Sequence, residues 1–110
     1  MKIQNLKVID IIQMPLFEKH VRICIDEIWL ARNQITARYG CLKRGAVERL
    51  IEKGVFGPKA IVTLYAKVLD KTLDINEYPS TLRKFIKSIG DEAFHRTYVE
   101  LKNKQNEKDT

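Results

Sequence analysis

Apolar residues recur at steps of three and four along most of this chain, which is the spacing of one face of an α-helix. The segment from Pro15 to about residue 32 predicts a helix, because proline suits the first turn and the apolar positions form one stripe. That stripe consists of Phe17, Val21, Cys24, Ile25 and Ile28. Residues 2–13 suit either a short helix or a strand, and we favour a helix there.

Glycine and proline divide the middle of the chain into further helices. Two short helices are predicted at 33–39 and at about 43–53, and each is followed by a glycine that can end it. A longer helix is expected to begin near Pro58, where proline again suits the first turn. Its apolar stripe consists of Ile61, Leu64, Tyr65 and Val68.

The C-terminal part of the pattern predicts two more helices, separated by Gly90. After a connector at 72–78, a helix that begins at residue 79 or 80 aligns Leu82, Phe85, Ile86 and Ile89. We expect Gly90 to end this helix and a last helix to begin at Asp91. The last helix aligns Phe94, Tyr98 and Leu101, which either pack back on the domain or form a dimer seam.

No series of alternating strands and no glycine-rich phosphate loop interrupts this helical pattern, so we predict an all-α fold. We expect a single compact bundle of five to six helices over residues 1–102, and a disordered polar tail at 103–110. No apolar run approaches the ~18 residues that cross a bilayer, and the first residues lack the pattern of a signal peptide. We therefore expect a cytoplasmic protein with reduced cysteines and no membrane partner.

Positive charge is concentrated in one part of the chain. The chain carries 20 lysines and arginines against 14 acidic residues, a net charge of +6. Residues 33–59 hold +4 of this excess, and the segments before and after them hold +1 each. A local basic excess is the first requirement of a phosphate-binding face.

The same region contains the sequence ITARYGCLKRGAVERLIEKG, which resembles the helix-turn-helix of bacterial and phage DNA-binding regulators. Ala37, Gly40 and Val47 would supply the small packing residue, the turn glycine and the closing apolar residue. The following GPKAIVTLYAKVLDKTLDINEY resembles the fourth helix of the lambda-repressor-like class, so the resemblance covers residues 33–78. Ala37 and Gly40 are three residues apart where that class usually has four, and a two-helix corner that serves only packing is the alternative.

The resemblance implies a recognition helix at about 43–53 and two roles for its basic side chains. Arg44 and Arg49 would contact base edges, because a guanidinium can make two hydrogen bonds to guanine. Phosphate contacts would come from Arg38, Lys43, Lys53 and Lys59. A further basic patch consists of Arg83, Lys84 and Lys87, and is either an accessory nucleic-acid contact or a solvated face.

Catalytic and metal-binding chemistry has little support in the sequence. His20 and Cys24 lie four residues apart, but a structural zinc site usually needs a second close ligand pair, which Cys41 and His95 do not form. The neighbouring acidic pairs, Asp26 with Glu27 and Asp91 with Glu92, suit structural roles on helices. We expect no catalytic residues, no metal, no cofactor and no small-molecule substrate.

These observations lead to two hypotheses from different classes. The first is a small, non-enzymatic transcriptional regulator that binds duplex DNA as a homodimer; family resemblance alone suggests a phage or mobile element as its source. The alternative is a non-enzymatic helical interaction module, an adaptor or inhibitor, whose basic surface meets an acidic protein or RNA.

Overall fold

Four α-helices make up the regular secondary structure of the residues that the computed structural model describes, which are 6–30, 54, 57–78 and 80–109. The helices are α1 (Val8–Ile12), α2 (Pro15–Leu30), α3 (Pro58–Leu69) and α4 (Ser80–Asp109). The all-α prediction is confirmed for these ranges. Of the five to six helices expected, the two short ones at 33–39 and 43–53 lie outside the described residues.

The N-terminal segment forms a short helix, as we favoured. The carboxylate of Asp10 accepts a hydrogen bond from the backbone N–H of Lys7 at 3.0 Å, and this contact satisfies a donor that the helix itself leaves free. Ile11 and Ile12 are buried, while the preceding two apolar residues face solvent. Helix α1 therefore covers one edge of the core with its C-terminal turn.

Helices α2 and α3 bury most of the stripes that their sequences predicted, and the burial of Ile28 in α2 lies outside what the structure describes. In α2 the buried residues are Phe17, Val21, Cys24 and Ile25, and in α3 they are Ile61, Leu64 and Tyr65. The rings of Phe17 and Tyr65 are stacked with their centroids 5.8 Å apart, which joins the two helices directly. Val68, the last member of the predicted α3 stripe, is half-buried at the edge of the core.

Helix α4 corrects the prediction that Gly90 separates two helices. It continues without interruption from Ser80 to Asp109, and Gly90 lies in its interior. Among the described glycines only Gly54 has the positive φ typical of a helix-ending glycine. Gly90 has a different role, because a Cβ atom at this position would collide with the ring of Tyr65. Asp91 therefore lies in the middle of a helix and not at its first turn.

The inward face of α4 beyond Gly90 also differs from the prediction. Ala93 and Thr97 are fully buried, whereas Phe94 only packs against the edge of the core and Tyr98 is 37% exposed. The buried stripe therefore begins one residue before the predicted one. The prediction placed it on large apolar residues, whereas Ala93 is small and Thr97 carries a hydroxyl group. The hydroxyl of Thr97 donates to the carbonyl oxygen of Ala93 at 2.7 Å, which satisfies its polar group inside the core.

The C-terminal turns of α4 extend beyond the part of the helix that the core covers. After Thr97 no described residue of α4 is buried, yet the helix includes residues 103–109, which we expected to be disordered. Four of its seven residues are lysine, glutamine or glutamate, which are good helix formers. None of the helices in the described ranges is long and apolar enough to cross a membrane.

Helices α2 and α3 both run antiparallel to α4. His20 of α2 contacts Glu100 of α4, and seven residues later Glu27 contacts Arg96. Tyr65 of α3 contacts Asp91, and a short connection leads from the end of α3 to the start of α4. These contacts fix the register of both helices along α4, and so they fix where the intervening segment leaves and rejoins the bundle.

Candidate nucleic-acid interface

Most residues predicted to contact DNA lie outside the described part of the chain. This applies to the predicted recognition helix at 43–53 and to its base-edge candidates Arg44 and Arg49. It also applies to three of the four phosphate candidates, which are Arg38, Lys43 and Lys53. The fourth, Lys59, is exposed in the first turn of α3.

The described helices fix the two ends of the basic segment. Because His20 lies beside Glu100 in antiparallel helices, the end of α2 is level with about residue 90 of α4. In the same way, the contact of Tyr65 with Asp91 places the start of α3 level with about residue 97 of α4. At about 1.5 Å per helical residue, these two points are roughly 10 Å apart along the axis of α4. The intervening residues thus begin and end on helices that share one core.

The N-terminus of α3 is a favourable setting for Lys59. Gly57 precedes the helix with an extended backbone and supplies no side-chain cap, so the first N–H groups of the helix have no side-chain acceptor there. The helix dipole adds partial positive charge at the same end. Lys59 and the start of α3 together form a local environment that favours an anion such as a phosphate.

The accessory basic patch lies elsewhere on the bundle. Lys84 and Lys87 are exposed on α4, whereas Arg83 is half-buried. The contact of Tyr65 with Asp91 places Lys59 of α3 level with about residue 96 of α4. Lys87 is therefore about 14 Å from Lys59 along the axis of α4. The structure therefore does not bring this patch together with the start of α3.

Lys87 also belongs to a hydrogen-bonded chain within the bundle. Its ammonium group donates to Oδ2 of Asp91 at 2.7 Å, and the hydroxyl of Tyr65 donates to Oδ1 of the same carboxylate at 2.6 Å. Burial of the phenol, followed by the nearby Asp91 carboxylate, raises the pKa of Tyr65 well above its usual value. Lys87 is thus partly neutralised, which makes it a weaker phosphate ligand than Lys84.

The charge of the described helices is almost balanced. The described ranges contain 13 lysines and arginines and 12 acidic residues, which leaves a net charge of +1. The remaining +5 of the chain's +6 belongs to the other residues, and most of it to the segment between α2 and α3. The helices that the structure describes are thus nearly neutral as a group, and residues 33–59 carry +4 of the chain's +6.

Two polar contacts between α2 and α4 had not been predicted from the sequence. The guanidinium of Arg96 donates to both oxygens of Glu27, at 2.8 and 2.9 Å, and to Glu92 at 3.0 Å. The hydrogen bonds to Glu27 raise the pKa of Arg96 above its usual value. Only the Glu92–Arg96 pair had a sequence signal, since residues four apart on a helix are neighbours.

The second missed contact joins His20 to Glu100. Nε2 of His20 lies 2.9 Å from Oε2 of Glu100, and this hydrogen bond lowers the pKa of the Glu100 carboxyl. His20 is largely buried against α4, and the neighbouring Cys24 is fully buried in the core, so the core role expected for Cys24 is confirmed. In the described ranges no three side chains of the kinds that bind metals converge on one point.

We compared this chain with protein-family models, with curated proteins and with solved structures. None of the three comparisons finds a match. The functional interpretation therefore depends on the residues of this chain and on the charge, burial and contacts described above.

Proposed function

We propose that this protein is a small DNA-binding regulator that contacts duplex DNA through the basic segment 33–59. The observation that carries the proposal is the concentration of positive charge in this segment. Residues 33–59 carry +4 of the chain's +6, whereas the residues before them and those after them carry +1 each. A neutral scaffold that supports one strongly basic segment is a suitable arrangement for binding a polyanion at a single face.

The proposed division of roles follows the chemistry of the side chains. Arg44 and Arg49 read base edges, because arginine can donate two parallel hydrogen bonds to guanine. Lys43, Lys53 and Lys59, together with Arg38, contact phosphates and set the orientation of the segment on the duplex. Lys59 is the member of this group whose surroundings are described, and its place at the uncapped start of α3 supports its role.

The framework gives this segment a physical advantage over a free basic peptide. Both of its ends are attached to helices that share one core, so less conformational entropy is lost when the segment binds. The stacked rings of Phe17 and Tyr65 hold α2 and α3 in a fixed relation. A substitution that loosens this core should weaken DNA binding even where it removes no charge.

The alternative is an interaction module whose basic segment meets an acidic protein or RNA. The charge distribution suits these partners too, since phosphates and carboxylates attract the same cations. The two proposals differ in sequence discrimination, because only a DNA regulator should distinguish one duplex from another of equal length and charge.

Fluorescence anisotropy of labelled duplexes tests the proposal. We expect binding that weakens steeply as salt rises, because each phosphate contact releases a condensed cation. Arg49→Ala should reduce discrimination between duplex sequences, while Lys59→Ala should weaken binding to all of them equally. Arg22→Ala is the matched control, since Arg22 is exposed on α2 outside the basic segment. Binding to single-stranded RNA or to an acidic polypeptide in preference to every duplex would favour the alternative.

A further inference from the structure

An open groove runs between α2 and α4 on one side of the bundle. It has a volume of about 410 Å³ and is lined by His20 and Ile23 of α2 and by His95, Val99 and Asn103 of α4, among others. Val99 is 39% exposed, and Ile23 is half-buried beside it. The middle of the groove is therefore apolar and accessible, while polar side chains lie around it.

The α2–α4 face, which is the surface of these two helices around the groove, carries opposite charge at its two ends. One end has Asp26, Glu27 and Glu92 with a single arginine, Arg96, which amounts to a net charge of −2. The other end has three exposed lysines and one glutamate, which amounts to a net charge of +2. These residues are Lys19, Lys102, Lys104 and Glu100. Both Lys19 and Lys104 are close enough to Glu100 to lower its pKa, which places them at the same end.

Along the groove, the sign of the charge changes at the same level on α2 and on α4. Lys19 and Asp26 are two helical turns apart on the same side of α2, and the midpoint between them is next to Ile23. On α4, Glu92 and Lys102 have their midpoint at Thr97. The antiparallel register set by the His20–Glu100 contact places residue 23 level with residue 97. The midpoints of both charge pairs therefore coincide along the groove.

We propose that a second copy of this chain docks on the α2–α4 face, related to the first by a two-fold axis through the middle of the groove. A two-fold axis places the basic end of the α2–α4 face of one subunit against the acidic end of the same face on the other. The α2–α4 face is therefore self-complementary in charge. Lys19 then lies beside Asp26 of the partner subunit, and Lys102 lies beside Glu92 of the partner subunit.

The apolar centre of the groove adds to this interaction. Ile23 and Val99 lie near the proposed axis, so each meets the same region of the other subunit and loses its exposure to water. A partner with charge of one sign would be attracted to one end of the groove and repelled from the other. The charge reversal thus favours a second copy over an unrelated acidic or basic protein.

The proposed interface differs from the dimer seam considered in the sequence analysis. That seam comprised Phe94, Tyr98 and Leu101, but Phe94 packs against the core of its own subunit. The α2–α4 face is formed by different positions of α4, centred on Val99. The proposal does not depend on DNA binding, although a dimer would present two basic segments to one duplex.

Charge reversal tests the proposed symmetry by sedimentation velocity without DNA. Lys19→Glu places like charges opposite Asp26 of the partner subunit, and Asp26→Lys places like charges opposite Lys19 of the partner subunit. Because symmetry repeats each contact, either substitution should weaken self-association by roughly tenfold or more. The double variant, Lys19→Glu with Asp26→Lys, restores opposite charges at both contacts and should restore the dimer.

Mixing the two single variants gives the sharpest result. A heterodimer of Lys19→Glu with Asp26→Lys has opposite charges at both contacts, so two weakly associating variants should form a dimer when mixed. Lys67→Glu is the matched control, because Lys67 is exposed on α3, which contributes no residue to the groove lining, and the reversal should leave the dimer intact. Circular dichroism confirms that each variant is folded.

Three outcomes would overturn the proposal. The first is a wild-type protein that stays monomeric up to near-millimolar concentration at low salt. The second is a dimer that neither single variant weakens, and the third is a mixture of the two variants that does not associate. Failure of DNA binding would leave all of these measurements unchanged, so the two proposals are tested separately.

Discussion

The ring of Tyr65 lies against the backbone of Gly90, in the space that the Cβ atom of any other residue would occupy. This contact lets α3 approach α4 closely enough for the Tyr65 hydroxyl to reach Asp91 on the following position. The Tyr65 ring also stacks on Phe17 of α2, so one side chain joins three helices. Gly90 is therefore a packing position in the middle of a continuous helix.

Replacing Gly90 by alanine should destabilise the protein, although alanine is the better helix former. Overpacking against Tyr65 should outweigh the gain of about 1 kcal/mol in helix propensity and lower the free energy of unfolding by about 2 kcal/mol. Urea denaturation measures this change. Ser88→Ala, which lies two residues earlier on α4, is the control and should change the stability by less than about 0.5 kcal/mol. An alanine variant as stable as the wild type would show that the close approach of Tyr65 is not required.

The Tyr65–Asp91 hydrogen bond predicts a loss of stability at alkaline pH. Burial and the carboxylate raise the pKa of Tyr65 in the folded state above the value of about 10 in the unfolded chain. The stabilising contribution is complete below pH 10, and it decreases above that pH because the unfolded state releases the phenolic proton first. Tyr65→Phe should flatten the stability curve above pH 10, whereas Tyr98→Phe, at an exposed position, should not. Identical alkaline curves for both variants would contradict this account.

Lys71 ends α3 in a conformation that favours glycine. Its φ angle is 59°, and the backbone N–H groups of Lys71 and Thr72 donate to the carbonyl oxygens of Val68 and Lys67 at 3.2 and 2.9 Å. This is the hydrogen-bond pattern of a Schellman motif, in which a left-handed residue follows the helix. Lys71→Gly should raise the free energy of unfolding by about 0.5–1 kcal/mol, since it removes the strain of a side chain at positive φ. Lys67→Gly, inside α3, should have the opposite effect, and stabilisation by both or by neither would refute the assignment.

The His20–Glu100 contact predicts a loss of stability in acid. Because the histidine lowers the pKa of Glu100 in the folded state, the contribution is present above the unfolded value of about 4.3 and is lost as the pH falls through the folded pKa. Glu100→Gln should remove this part of the acid dependence in thermal melts recorded between neutral pH and pH 3. Asp70→Asn, which removes an exposed carboxylate at the end of α3, is the control. An unchanged acid profile for Glu100→Gln would contradict the prediction.

The sequence predicted the local elements of the fold better than their junctions. The predicted stripes are confirmed for α2 as far as Ile25, for α3 as far as Tyr65 and for the first half of α4, because large apolar residues at helical spacing have few other uses. Gly90 was misinterpreted because a glycine can end a helix or allow a close approach, and only the position of Tyr65 distinguishes the two. The contacts of His20 with Glu100 and of Glu27 with Arg96 join residues far apart in sequence, so no local pattern indicated them.

The candidate site was predicted from local charge and a motif, and most of it remains a prediction. Five of its six basic residues lie outside the described ranges, and Lys59 alone has described surroundings. The charge distribution supports residues 33–59 as the place where a polyanion binds, because they carry +4 of the chain's +6 and the residues on either side carry +1 each.

The most direct test of the proposed function is the salt dependence of duplex binding by the wild-type protein and the Arg49→Ala variant. We expect the wild type to bind duplex DNA at low salt, to lose affinity linearly on a log–log plot against salt, and to prefer some sequences. Arg49→Ala should retain the binding to random duplexes but lose that preference. No binding of any duplex at low salt would contradict the proposal.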